Sequence, residues 1–109
     1  MPQTVDVMQG TLDLLILKAL ALEPVHGWGI SERIQQMSRG AFSIGQGSLY
    51  PALHRLENRG WLNSYWRTTT NNRIARIYEL TTAGRGAVDK EIADWRFYTS
   101  AIDMVIDAR

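Results

Sequence analysis

The sequence predicts a mainly α chain with one small β-hairpin: three helices, the hairpin, then a long last helix. Three observations carry this. Apolar residues recur at helical spacing in four separate stretches. Trp61 to Arg67 and Ile74 to Leu80 instead have strand composition and flank a polar tip. Pro24, Gly40 and Gly60 punctuate the helical stretches where a helix must stop.

The first helix is expected from about Thr11 to Leu22. Leu12, Leu15, Ile16, Ala19 and Leu20 form one stripe, and Leu14, Leu17, Ala21 and Leu22 widen it almost all round. Such a helix needs cover on most sides. Thr11 is placed to cap it, Asp13 suits its positive end, and Glu23-Pro24 stops it. His26-Gly27-Trp28-Gly29 reads as a turn into a second helix from Ile30 to Ser38, with Ile30, Ile34 and Met37 buried. Trp28 reads as an aromatic core plug, and His26 as a hydrogen-bonding residue at the helix entry. Arg39-Gly40 ends this helix in a left-handed cap. Phe42-Ser43-Ile44 is a candidate minor strand beside the hairpin.

Gln46-Gly47-Ser48 opens the third helix, in which Leu49, Leu53 and Leu56 mark a core stripe. Ser48, Tyr50, His54, Arg55 and Arg59 lie off that stripe. Pro51 fits in the first turn, and Gly60 closes the helix. In the hairpin, Asn71-Asn72 supplies turn geometry. Leu62, Ile77 and Leu80 are the residues expected to meet the helices. Thr81-Thr82 caps the last helix. Along it, Val88, Ile92, Trp95, Thr99, Ile102 and Ile106 follow one another at 4, 3, 4, 3 and 4 residues, a heptad seam with one polar member. The seam suits a helix packed across a two-fold axis, with help from Leu12 and Ile16 of the first helix. The competing reading is a helix lying over its own core.

Composition narrows the function. A chain of 109 residues with 45% hydrophobic content holds one packed domain. Absence of Cys excludes disulfides, thiolate metal sites and cysteine chemistry, and His26 and His54 are too few for a zinc cluster. There is no phosphate loop and no nucleophile–base set, so no catalytic residues and no cofactor are expected. No stretch is long and apolar enough to span a membrane, and Met1 to Asp6 lacks a basic leader, so the expected location is the cytoplasm. The overall charge of +1 hides a segregation: residues 50–76 hold five arginines against Glu57, a balance of +4 that leaves −3 for the rest. That cluster either solubilises a surface or faces an anion.

Three helices and a hairpin in this order describe a winged helix-turn-helix over residues 1–81, with residues 82–109 as a C-terminal dimerisation helix. In that arrangement the third helix enters the major groove of double-stranded DNA. Ser48 and Tyr50 are then candidates for phosphate, and His54 and Arg55 for base edges. Arg59 is a candidate for phosphate or Glu57. Asn71, Asn72, Arg73 and Arg76 belong to the hairpin, the wing. A two-fold dimer expects an inverted-repeat operator. A winged helix serving only protein interaction is the rival reading.

Gly47-Ser48-Leu49-Tyr50-Pro51-Ala52-Leu53-His54-Arg55-Leu56-Glu57 resembles the "G-T/S-L-Y-P-A-L-x-R-L-E" pattern of the PadR family of transcriptional regulators. His26-Gly27-Trp28-Gly29-Ile30 is similar to its "H-G-Y-x-I", and Tyr78-Glu79-Leu80-Thr81-Thr82-Ala83-Gly84 to its "Y-x-L-T-x-x-G". The resemblance runs from about Met8 to Trp95. The wing departs from "G-R-P-R-K-Y-Y": Arg73 is kept, Ala75 replaces the second arginine, and the glycine and proline are gone. The resemblance implies a homodimeric winged-helix repressor of the short form, joined through its last and first helices. It also implies, as in some short members, a cavity between protomers for a small aromatic effector; Trp95 stands where such members carry an aromatic residue, with Tyr98 beside it, whereas composition alone reads Trp95 first as a dimer-core residue.

Overall fold

A computed structural model describes residues 10–109. Met1 to Asp6, read in the sequence as lacking a basic leader, and the start of the family resemblance at Met8 lie outside the described residues. Four helices and a small sheet follow in the order α1 (Leu12–Leu20), β1 (Val25–His26), α2 (Gly27–Met37), α3 (Gln46–Asn58), β2 (Leu62–Thr68), β3 (Ile74–Leu80) and α4 (Thr82–Ile106).

Helix α1 sits at the centre, with Ile16, Leu17, Ala19 and Leu20 buried. Ile30 and Ile34 from α2, Leu49, Ala52, Leu53 and Leu56 from α3, and Val88 from α4 close around them. The end of α1 is held from outside: the Arg33 guanidinium of α2 donates to the Ala19 carbonyl in its last turn at 2.8 Å and to the Glu23 carbonyl of the following loop at 2.9 Å. Thr11 holds the N-cap position of α1 without a side-chain cap bond, contrary to the expectation from sequence.

The sheet is antiparallel with order β1-β3-β2. Its third strand is Val25–His26, paired Val25↔Tyr78 and His26↔Ile77. Phe42–Ile44 does not fill that role, since Phe42 makes only an isolated bridge. The strand residues lead straight into α2, which therefore starts at Gly27 and not at Ile30. His26 caps it, its Nδ1 accepting from the Gly29 amide at 3.0 Å. Met37 is half exposed and not part of the core.

Neighbouring strand residues point to opposite faces. Tyr78 and Leu80 join Leu62 in the main core, whereas Ile77 is buried outside that cluster. The hairpin turns through Asn72, whose φ of 59° supplies the left-handed conformation expected there. Its base is tied to both neighbouring helices. The Thr81 amide donates to the Trp61 carbonyl at 3.0 Å, the Thr81 hydroxyl donates to the Gly60 carbonyl at 2.6 Å, and the same hydroxyl oxygen caps α4 by accepting from the Gly84 amide at 3.0 Å. A Cβ at Gly84 would run into the Trp61 carbonyl. The start of α4 is thereby fixed against the end of α3, so the last helix and the third form one mechanical unit.

Candidate nucleic-acid interface

Helix α3 has two unlike sides because its core stripe is narrow. Leu49, Ala52, Leu53 and Leu56 are buried. At about 100° per residue the opposite face is centred on Gly47, Pro51, His54 and Asn58. All four are exposed. Pro51 is not in the first turn, since α3 begins at Gln46. It has no N–H to donate to the Gly47 carbonyl, and both residues lie on the open side, where the ring meets no neighbouring element. Asn58 escaped the sequence reading, which followed positive charge, although its amide carries donors and an acceptor suited to base edges.

The two flanks of this face are occupied differently. On the α1 side, Asp13 accepts from Arg55 at 2.7 Å and lies 3.8 Å from Arg59. The Arg59 guanidinium also stacks 5.3 Å from the Trp61 ring centre. The partner expected for Arg59, Glu57, lies instead on the wing side. There it takes the Arg76 guanidinium at 3.1 Å and the Ser64 hydroxyl at 3.1 Å. Arg76 also donates to Ser64 at 2.8 Å and lies over the rings of Tyr78 and Trp66, at 5.6 and 6.0 Å. Arg76, a wing candidate for DNA, is thus also a brace between wing and α3. Both sets of arginines are about half exposed, so each pair is worth at most about 1 kcal/mol and exchanges readily for a phosphate.

Arg67 and Arg73 make no ion pair among the described residues. The wing tip holds Arg73 in a closed loop: the Thr69 amide donates to the Arg73 carbonyl at 2.7 Å, and the Asn72 amide to the Thr69 carbonyl at 2.9 Å. Asn71, Asn72 and Arg73 are exposed together at this tip. Ser48 is exposed in the first turn of α3, where backbone amides lack helical partners. Tyr50 leans over the entry of α2, where a Cβ at Gly27 would come within 2.9 Å of its ring. Trp28 is 51% exposed and is no core plug, because α2 starts early enough to turn its second residue outward. Burial pushes the Tyr78 phenol above its usual range, with the nearby Arg76 charge opposing.

The expected seam on α4 divides. Val88 is buried and Ile92 packs on the same core, so both are used within one chain. Ile16 is fully buried, which removes it from the outer face of α1, and Leu12 is partly buried against the same core. Trp95, Ile102 and Ile106 remain exposed beyond the core, at 39%, 39% and 71%. Thr99, the polar member, donates its hydroxyl to the Trp95 carbonyl at 3.1 Å, which turns its polarity back onto its own helix. Phe97 and Met104 expose a second apolar strip that the heptad reading did not contain.

Trp95, Tyr98 and Ile102 face Thr11 and Leu14 of α1 across an open cavity of about 470 Å³, with Glu91 and Asp94 at its rim. The Trp95 and Tyr98 rings lie 6.4 Å apart, tilted by 36°. Among the described residues no cluster of His, Asp or Glu is placed to hold a metal ion, and no helix is long and apolar enough to cross a membrane.

The family model of the PadR-like transcriptional regulators matches residues 16–90. The transcriptional regulator Rv3488 of Mycobacterium tuberculosis is 36% identical over 86 residues, covering 79% of this chain and 77% of that protein. Among solved structures, a transcriptional regulator from Clostridium thermocellum superposes with a TM-score of 0.79 at 26% identity, over 87% of this chain and 92% of that one. A PadR family transcriptional regulator from Eggerthella lenta gives 0.78 at 25% identity, over 93% and 86%. The family match runs from the second half of α1 to the first part of α4 and includes α2, α3 and the hairpin. This chain belongs to the PadR-like family of transcriptional regulators, and it is a DNA-binding regulator and not an enzyme.

Proposed function

We propose that the protein is a homodimeric repressor that reads an inverted repeat in double-stranded DNA and acts in the cytoplasm. Residues 1–81 bind DNA, and residues 82–109 join the protomers. The observation that carries this reading is the exposed face of α3. His54 and Asn58 stand there without covering side chains, between flanks rich in arginine. In this reading His54 and Asn58 address base edges. Arg55 and Arg59 leave Asp13 for base or phosphate, Ser48 and Tyr50 meet the backbone, and Asn71, Asn72 and Arg73 reach the adjacent groove. Support for the dimer comes from Trp95, Ile102 and Ile106, which stand exposed on a single helix beyond the core.

A flat aromatic effector in the cavity beside Trp95 and Tyr98 relieves repression in this reading, and the acidic rim of Glu91 and Asp94 favours one with positive charge. A ligand that prefers one spacing of the two reading heads shifts DNA affinity by the factor by which DNA shifts its own.

The test is selection of duplexes from a random pool, followed by anisotropy titration at several salt concentrations. The enriched sites should have dyad symmetry. Arg55→Ala should cost about 1–3 kcal/mol on the selected site and much less on random duplex if it reads a base. A pool that never converges would refute sequence-specific reading and favour a protein-interaction module.

A further inference from the structure

We infer that the cleft between the entry of α2 and the inner face of the wing seats one DNA strand through its deoxyriboses, with Trp28, Trp66 and Ile74 as its apolar walls. This rests on the DNA-binding reading above and adds contacts of a different physical kind.

The hairpin register shows why these side chains are open. One face of the sheet carries the pairs Leu62↔Leu80, Ser64↔Tyr78, Trp66↔Arg76 and Thr68↔Ile74 in succession. The first two pairs lie over the helices, where Leu62, Leu80 and Tyr78 are buried. Beyond them the helices end and the same face continues into open space. Trp66 is 68% and Ile74 72% exposed, and across the gap stand Trp28 at 51% and Tyr50 at 42%. The space between them is about 800 Å³. So large an apolar concentration on the rim of a small protein marks an interaction surface.

Its charge selects the occupant. Arg73 lines the cleft without an ion pair, Arg76 lines it with Glu57 behind it, and no carboxylate faces the space itself. A partner must therefore present apolar surface and negative charge in alternation. A DNA strand does so, with C–H-rich deoxyribose between phosphates. Position agrees with chemistry. Tyr50 lines the cleft and also belongs to α3, and the cleft ends at Asn71 and Arg73 of the wing tip. A strand leaving the groove read by α3 meets the cleft before it reaches the tip. Trp66 is held ready, because Arg76 stacks on it while bound to Glu57 and Ser64.

Contacts to sugar release no counterions, whereas contacts to phosphate do. The experiment titrates the full chain with its selected duplex across a salt series. Trp66→Ala and Ile74→Ala should each weaken binding about five- to tenfold with the slope of log affinity against log salt unchanged. Arg73→Ala should lower that slope by about 1. Trp66→Phe should recover most of the loss. Thermal melts monitor folding, which these exposed substitutions should leave intact. If Trp66→Ala and Ile74→Ala bind like the parent while Arg73→Ala is weakened, the strand does not use the cleft. The inference then falls, the DNA-binding reading stands, and the cleft passes to a protein partner. A lowered slope in Trp66→Ala would overturn it too, by reducing Trp66 to a support for Arg76. If the parent chain selects no duplex, both readings fail together.

Discussion

The two halves of α4 share one periodicity and meet two environments. Val88 and Ile92 close the core of their own chain, while Trp95 and Ile102 continue the same stripe with only partial cover, each 39% exposed beside α1, and Ile106 is 71% exposed. The helix spans Thr82–Ile106, about 37 Å at 1.5 Å per residue, and the whole molecule is 60 × 36 × 22 Å. Such a shape carries the end of α4 past the buried core. A heptad pattern thus reports that a stripe needs cover, but not which surface covers it.

The comparison is most severely tested at its ends. Val88→Asp should bury an uncompensated carboxylate in the core and cost about 3–5 kcal/mol, a large part of the stability of a domain this size. Thermal unfolding followed by circular dichroism should show a lowered or lost transition. Ile102→Asp should leave the fold intact and weaken the dimer by about 100-fold, read as a shift to monomer in sedimentation velocity. If it unfolds the chain as Val88→Asp does, the distal half has a cover within its own chain and the comparison collapses. If the parent protein is monomeric at about 100 μM, the dimer proposal is refuted. The smallest effect is expected at Thr99. Its hydroxyl already bonds to its own helix, so Thr99→Val should tighten the dimer by no more than about 1 kcal/mol. A marked loss of dimer would mean that the hydroxyl serves the partner.

Much of this architecture was legible in local sequence. Leu49, Leu53 and Leu56 announced the buried face of α3, because helical period is a property of a dozen consecutive residues. Thr81 as a cap, His26 at a helix entry and Asn72 at the hairpin turn were readable for the same reason. What escaped depended on residues distant in the chain. Arg55 and Asp13 are 42 positions apart, so their ion pair leaves no local trace. Arg76 and Glu57 are 19 positions apart and pair only because the hairpin folds back onto α3. Val25–His26 is too short to have strand composition, and it is a strand only because β3 passes beside it. Trp28 looked like core because it is large and apolar, yet hydrophobic size does not say which side of a helix faces inward.

Local sequence was enough to set the four helices, the hairpin, their winged helix-turn-helix order and the need of α4 for more cover than one small domain supplies. Each of these follows from spacing, capping and turn chemistry within a short window. Only the tertiary structure decided which arginines are braced and which are free, that His54 and Asn58 form the middle of the open face, and where the core stops along α4 and along the wing. The physical reason is the same throughout. Ion pairing and exposure are set by what lies across space, and packing α1, α3 and the hairpin together brings side chains into contact that no local pattern connects.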